Sequence, residues 1–287
     1  MFPLVMQRQL LEANMAHGLS FCFVAAFGSG KTRTWRQQQL DQRCRPQHRR
    51  PQLAVTATLL ERELIAGSAR GAALETFKLF FRCQPGRWRS ERCYFYRETA
   101  DVADRGGESV ERSETLFQVE PLTAETTTKV LRDNGTDESK LISEGFHSLE
   151  YAAGFKVSFN TRMEHSGDVS ASTNLLFVPQ VLDVQLARQL GLVRGLYFRD
   201  KGYEEDRPIV GQFEFHVTTR ELVMVTAYAR TVSVDRILLC SERQRLRQIA
   251  NYRRPEAWQR DAPLDRNRSL LTEVRLLGAG IEDRLPD

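Results

Sequence analysis

Between Arg194 and Arg247 the chain reads RGLYFRDKGYEEDRPIVGQFEFHVTTRELVMVTAYARTVSVDRILLCSERQRLR, and no other run constrains the fold as tightly. Residues 209–216 put Ile209, Gly211, Phe213 and Phe215 on one side, and Val210, Gln212, Glu214 and His216 on the other. A period of two is the pattern of a strand with one drier face. The stretches 221–229 (ELVMVTAYA) and 235–241 (DRILLCS) are almost wholly apolar, which predicts strands buried on both sides. In RQRLRQI, Arg243, Arg245 and Arg247 share one face of a strand and Gln244, Leu246 and Gln248 the other. Strands about a dozen residues apart, joined by turn-like stretches, predict an antiparallel meander.

The same patterns continue upstream. ALETFKLFFRCQ spaces Leu74, Phe77, Phe80 and Phe81 as on a short amphipathic helix, which Pro85-Gly86 stops. GRWRSERCYFYRE then sets Trp88, Ser90, Arg92, Tyr94 and Tyr96 on one face of a strand. An inward arginine among aromatics is costly unless an anion meets it. After a polar loop through DRGGESVERSE, residues 115–122 (TLFQVEPL) form an expected second strand, and 123–135 (TAETTTKVLRDNG) an expected helix ended by Asn134-Gly135. Residues 154–168 alternate cleanly and turn at SGD into another strand, ASTNLLFVP.

These pieces together resemble the CpcS/CpeS (S-type) phycobiliprotein lyases. The resemblance is carried by RGLYFRDKGYEEDRPIVG (194–211), TAY (226–228), DRILLCS (235–241), RLR (245–247) and, earlier, G-R-W-x-S-x-R at 86–92. It runs from about 73 to 276, where SLLTEVRL (269–276) resembles the closing strand. It implies an all-β, lipocalin-like, antiparallel up-and-down barrel with one or two short helices. The expected domains are an N-terminal extension (1–72), poorly ordered or presequence-like, the barrel (73–276) and a C-terminal tail (277–287).

The resemblance implies a lyase that binds a linear tetrapyrrole, phycocyanobilin or phycoerythrobilin, as substrate. It would join that bilin through a thioether to a cysteine of an apo-phycobiliprotein subunit. A homodimer or a related lyase subunit is a further implied partner. The alternative is a lipocalin-like carrier of a bilin or other lipophile without transferase activity. A bilin has a conjugated face that wants aromatic walls, propionates that want guanidinium forks, and pyrrole N–H groups that want a carboxylate. The expected bilin-binding residues are Trp88, Arg92, Tyr94, Arg199, Tyr203, Glu214, Tyr228, Arg245 and Arg247. Arg245 and Arg247 are expected to face the cavity and Leu246 to face outward. The chain departs from the family at Phe159 and His165, where Trp is usual, and at Ala227 and Ala229, where glutamates are usual; Glu214 is the expected substitute.

Charge weakens a nucleic-acid reading. The net charge is +4, but residues 1–74 hold 10 Lys and Arg against 4 Asp and Glu, while the remainder holds 31 against 33. The basic excess therefore belongs to the extension. Five cysteines without CxxC spacing fit free thiols in a reducing compartment. No apolar run approaches the ~18 residues of a membrane span, and the five histidines form no metal-ligand spacing. GSGKT (28–32) is similar to the end of a phosphate-binding loop, but Ala25 stands where that loop needs glycine. The apolar, then basic and acid-poor opening resembles a targeting segment, with a start codon set too far upstream as the other reading. The expected location is accordingly a cyanobacterial cytoplasm or a plastid stroma.

Overall fold

Ten strands follow one another in the computed structural model: β1 (Gly86–Arg97), β2 (Glu108–Pro121), β3 (Ala153–Met163), β4 (Asp168–Pro179), β5 (Leu192–Arg199), β6 (Ile209–His216), β7 (Glu221–Ala227), β8 (Thr231–Ser241), β9 (Gln244–Arg253) and β10 (Val274–Arg284). Each pairs antiparallel with its sequence neighbours, and β1 pairs with β10 to close an up-and-down barrel. Four short helices accompany it: α1 (Ala69–Arg82), α2 (Ala124–Asp133), α3 (Glu138–Ser143) and α4 (Leu264–Arg268). The structure describes residues 69–97, 108–181, 191–202, 204–259, 262 and 264–286. The extension with its GSGKT and presequence-like stretches lies outside them up to residue 68, as does Tyr203.

The phenylalanines of α1 explain how one end of the barrel is closed. Phe77 stacks on Phe213 with ring centroids 5.4 Å apart and meets Phe215 edge-on at 5.7 Å. Phe81 reaches Phe177 at 4.7 Å. Each of these side chains is buried, and burial of one such ring contributes roughly 1.5–3 kcal/mol. The helix thus forms a floor, and the opposite end is the mouth, where the β3–β4 and β7–β8 turns lie.

Two further apolar layers sit outside the barrel. Val130 of α2 and Leu141 of α3 cover Leu176, Val178 and Phe198 on β4 and β5. Thr123 caps α2, its hydroxyl accepting from the Thr126 N–H at 3.1 Å. Leu264 and Leu271 cover Val223, Val225, Val232 and Val234. That cover is why β7 reads as continuously apolar, with Leu222 and Met224 packed inside and Val223 and Val225 packed outside.

Three boundaries differ from the sequence expectation. β2 begins at Glu108, because its first half points Ser109, Glu111 and Ser113 inward at the polar mouth and shows no apolar alternation. The closing strand is Val274–Arg284, so residues 269–273 precede it and most of the expected tail is strand. Its glycines hide the strand signal and have a purpose. A Cβ at Gly280 would lie 2.5 Å from Arg92 Cγ and 2.4 Å from the Glu91 carbonyl, and one at Gly278 would lie 2.6 Å from the Tyr94 ring. Small residues on β10 let Arg92 and Tyr94 lie across it. The α-helices also number four among the described residues, against the one or two expected.

Candidate functional site in the barrel interior

The interior is divided into a floor of buried charge and a mouth lined by polar and aromatic groups. On the floor, Trp88 is fully buried and its indole N–H donates to the Gln84 carbonyl at 2.9 Å. The Arg245 guanidinium lies 4.3 Å from the centre of the Trp88 ring and donates to Gln84 Oε1 at 2.6 Å. Arg92 donates from Nε to Ser90 Oγ at 3.0 Å and from Nη1 to Tyr94 Oη at 3.3 Å. Both guanidinium groups also pair with Glu282, which has no exposed surface. The anion that an inward Arg92 requires is therefore supplied by the chain, from a residue that the sequence reading assigns to the tail. Burial pushes the Glu282 carboxyl up, but the guanidinium groups of Arg245, Arg92 and Arg247 more than reverse that and hold it at about 2.

Above this floor, Arg199, Tyr228, Arg245 and Arg247 line one cavity with Tyr197, Met224, Thr226, Ser233 and Asp235. Arg247 Nε donates to both Asp235 oxygens, at 2.9 and 3.2 Å, and Nη2 closes the fork on Oδ2. Arg199 Nη1 donates to the Tyr228 hydroxyl at 3.3 Å. The Tyr197 and Thr226 hydroxyls bond to each other, and burial pushes Tyr197 far above the ordinary phenol range. The cavity encloses about 40 Å³, room for about one water. A larger ligand therefore requires displacement of side chains such as Met224 and Tyr228. At the rim Glu111 accepts from the backbone N–H groups of His165 and Ser166 at 3.0 and 2.7 Å, pinning the β3–β4 turn, on which His165 is exposed.

Four of the nine expected site residues, Arg199, Tyr228, Arg245 and Arg247, thus meet in one cavity. The register expected for β9 is observed. Arg245 and Arg247 face inward, while Leu246 lies on the outer face beside Leu238 and Ile281. Trp88 and Arg92 belong to the floor, and Tyr94 stands between Arg92 and the mouth. Glu214 is the correction. It alternates with Phe213 and Phe215, so it points out of the barrel, where it is buried against Arg194 at 2.9 Å and Arg268 at 3.0 Å. Its own strand periodicity already carried that information. The carboxylate that does face the cavity, Asp235, opens DRILLCS, and its position two residues before inward Ile237 was the available signal.

Comparison with known proteins places the chain. The family model described as CpeS-like protein matches residues 76–260. A curated relative from Synechococcus sp. (strain JA-3-3Ab), named Chromophore lyase CpcS/CpeS 1, is 40% identical over 216 residues, which are 74% of this chain and 98% of that protein. The chain belongs to the CpeS-like family. The family match spans β1 to β9 and includes the Asp235–Arg247 pair. It ends before β10, which supplies Glu282. Among solved structures, an S-type phycobiliprotein lyase, CPES, from Guillardia theta is 16% identical, with a TM-score of 0.47, covering 74% of this chain and 93% of that one. Among the described residues no helix is long and apolar enough to cross a membrane.

Proposed function

We propose that this chain is a bilin lyase, which holds a linear tetrapyrrole in the mouth half of the barrel and joins it to a cysteine of an apo-phycobiliprotein subunit. The observation that carries the reading is the Asp235–Arg247 pair facing the same cavity as Arg199, Tyr197 and Tyr228. A carboxylate for pyrrole N–H groups, guanidinium groups for propionates and aromatic walls for a conjugated face are the three things a bilin asks of a protein. Family membership and the name of the Synechococcus relative support the same reading.

The chemistry follows from position. The bilin is held with its vinyl-side carbon toward the mouth, and the partner's thiolate attacks that carbon. One carbon–sulfur bond forms, one carbon–carbon double bond is consumed, and the tetrapyrrole takes up a proton; nothing leaves. Proximity and orientation supply most of the acceleration, and protonation of the bilin makes it the better electrophile. The acceptor thiol is the partner's, so no cysteine of this chain is required. The ligand needs more room than the cavity gives, so binding has to displace side chains that line it, at a cost to affinity.

Co-expression with a bilin source and an apo-phycobiliprotein subunit tests the proposal. The expected result is colour on the partner that survives denaturant. The paired neutral variant Asp235→Asn with Arg247→Gln, which leaves neither charge alone, should lower bilin affinity about tenfold to a hundredfold and reduce the yield of coloured partner accordingly. Colour that stays on this chain and never becomes covalent would make it a carrier, the reading that Ala227 and Ala229 favour.

A further inference from the structure

Asn251 brings an unsatisfied acceptor to the inner side of the mouth. It lies on β9 with the parity of Arg245 and Arg247, which face the cavity. Its neighbour Tyr252 packs outside the barrel with Leu264 and Leu271, so Asn251 points inward. Directly across from it stand Ser233 of β8, which lines the cavity, and Leu276 of β10. Side chains so placed are near neighbours on the face they share. Ser233 in turn stands opposite Thr226, whose hydroxyl is already bonded to Tyr197. The Asn251 side-chain oxygen is shut off from solvent and has no hydrogen-bond partner among the described residues. A buried acceptor in that state costs the fold stability. What accounts for it is a donor that arrives with the ligand.

We infer that Asn251 recognises the terminal lactam ring of the bilin that lies nearest the mouth. The inference rests on the bilin lyase reading and deepens it. A carboxamide holds an acceptor oxygen beside an N–H donor, and a lactam holds an N–H donor beside an acceptor carbonyl. The two match in a pair of hydrogen bonds: the lactam N–H donates to Asn251 Oδ1, and Asn251 Nδ2 donates to the lactam carbonyl. An ionised carboxylate, which only accepts, does not make that pair. Asp235 lies two residues deeper along β8 than Ser233, a step of about 7 Å. The carboxylate therefore meets inner pyrrole N–H groups and the amide meets the end of the chromophore. In the chemistry proposed above, the ring toward the mouth carries the carbon that the thiolate attacks. Asn251 orients that ring and takes no part in proton transfer.

The test is a cycle of titrations of the full chain, wild type and Asn251→Leu, with two probes. One is phycocyanobilin; the other is its O-alkylated lactim ether, whose terminal rings have lost the N–H donor. Leucine keeps the volume and removes both hydrogen-bonding atoms. Asn251→Leu should bind phycocyanobilin about tenfold more weakly than the wild type. It should bind the ether within about twofold of the wild type, because the partner of the amide is already gone. Its melting temperature should be no lower, since an unsatisfied acceptor has been removed. Asn251→Ala, which adds no new group, goes through the same titrations and carries the test if the leucine variant does not fold. Wild-type affinity for phycocyanobilin in the variants overturns the inference. So does an equal loss for both probes, which would mean that the amide does not meet a lactam. A marked fall in the melting temperature of a folded Asn251→Leu protein overturns it as well, by giving the amide to the fold. A wild-type chain that binds no phycocyanobilin overturns the lyase reading itself.

Discussion

Glu282→Gln is expected to cost about 3–5 kcal/mol of folding stability, because it removes one partner of a buried ion network and leaves charge uncompensated. Glutamine keeps the shape and loses the charge. Arg92 and Arg245, whose side chains are 6% and 4% exposed, would then lie buried with only neutral partners. For a domain of this size the melting temperature should fall on the order of 10 °C. Replacing the whole network, Arg92→Met with Glu282→Leu and Arg245→Met, should recover much of that loss, since apolar replacement of a buried ion cluster is often neutral or stabilising. Thermal denaturation of the two variants checks the argument. An unchanged melting temperature for Glu282→Gln would mean that this carboxylate is not what holds the two arginines inside.

The same network sets an acid limit. Glu282 titrates at about 2 in the folded chain, against an ordinary 4.5. A carboxyl depressed by folding contributes stability that is present above its unfolded value and lost as the pH falls through the folded one. The window is therefore from about pH 4.5 down to about 2, and the contribution at stake is about 3 kcal/mol. Melting temperature followed across that window should fall more steeply for the wild type than for the triple apolar variant.

The meander was legible because it is local in sequence, while its closure into a barrel was implied by the family resemblance. The alternation at 209–216 and the apolar run at 221–227 each give strand and face without long-range knowledge, and the R-x-R parity followed from strand geometry alone. The site was half legible. Alternation puts Arg245 and Arg247 on one face and the family resemblance turns that face inward, but the partners of inward arginines cannot be read from the sequence, because Arg92 and Glu282 are 190 residues apart in the chain. The glycines of β10, needed for the close approach of Arg92 and Tyr94, gave that strand the look of a tail. Glu214 was misplaced for a different reason. A buried carboxylate was expected to serve the ligand, whereas here it anchors the segment around α4 through Arg268.

The larger effect on function should come from filling the cavity. Ser233 lines it from the inner face of β8, opposite Thr226 and Asn251. Ser233→Trp puts an indole into about 40 Å³ of space, so overpacking should cost about 1–3 kcal/mol while the barrel remains closed. Gln248→Trp, on the outer face of β9 between Arg236 and Ala279, adds the same side chain outside. The direct measurement is a bilin titration of the wild type and both variants, following the visible absorbance of the bound chromophore. The account predicts that Ser233→Trp loses at least two orders of magnitude in affinity, about 2.7 kcal/mol or more, and that Gln248→Trp binds as the wild type does. A folded Ser233→Trp protein that titrates like the wild type would contradict it, for the bilin would then lie somewhere other than the mouth of the barrel.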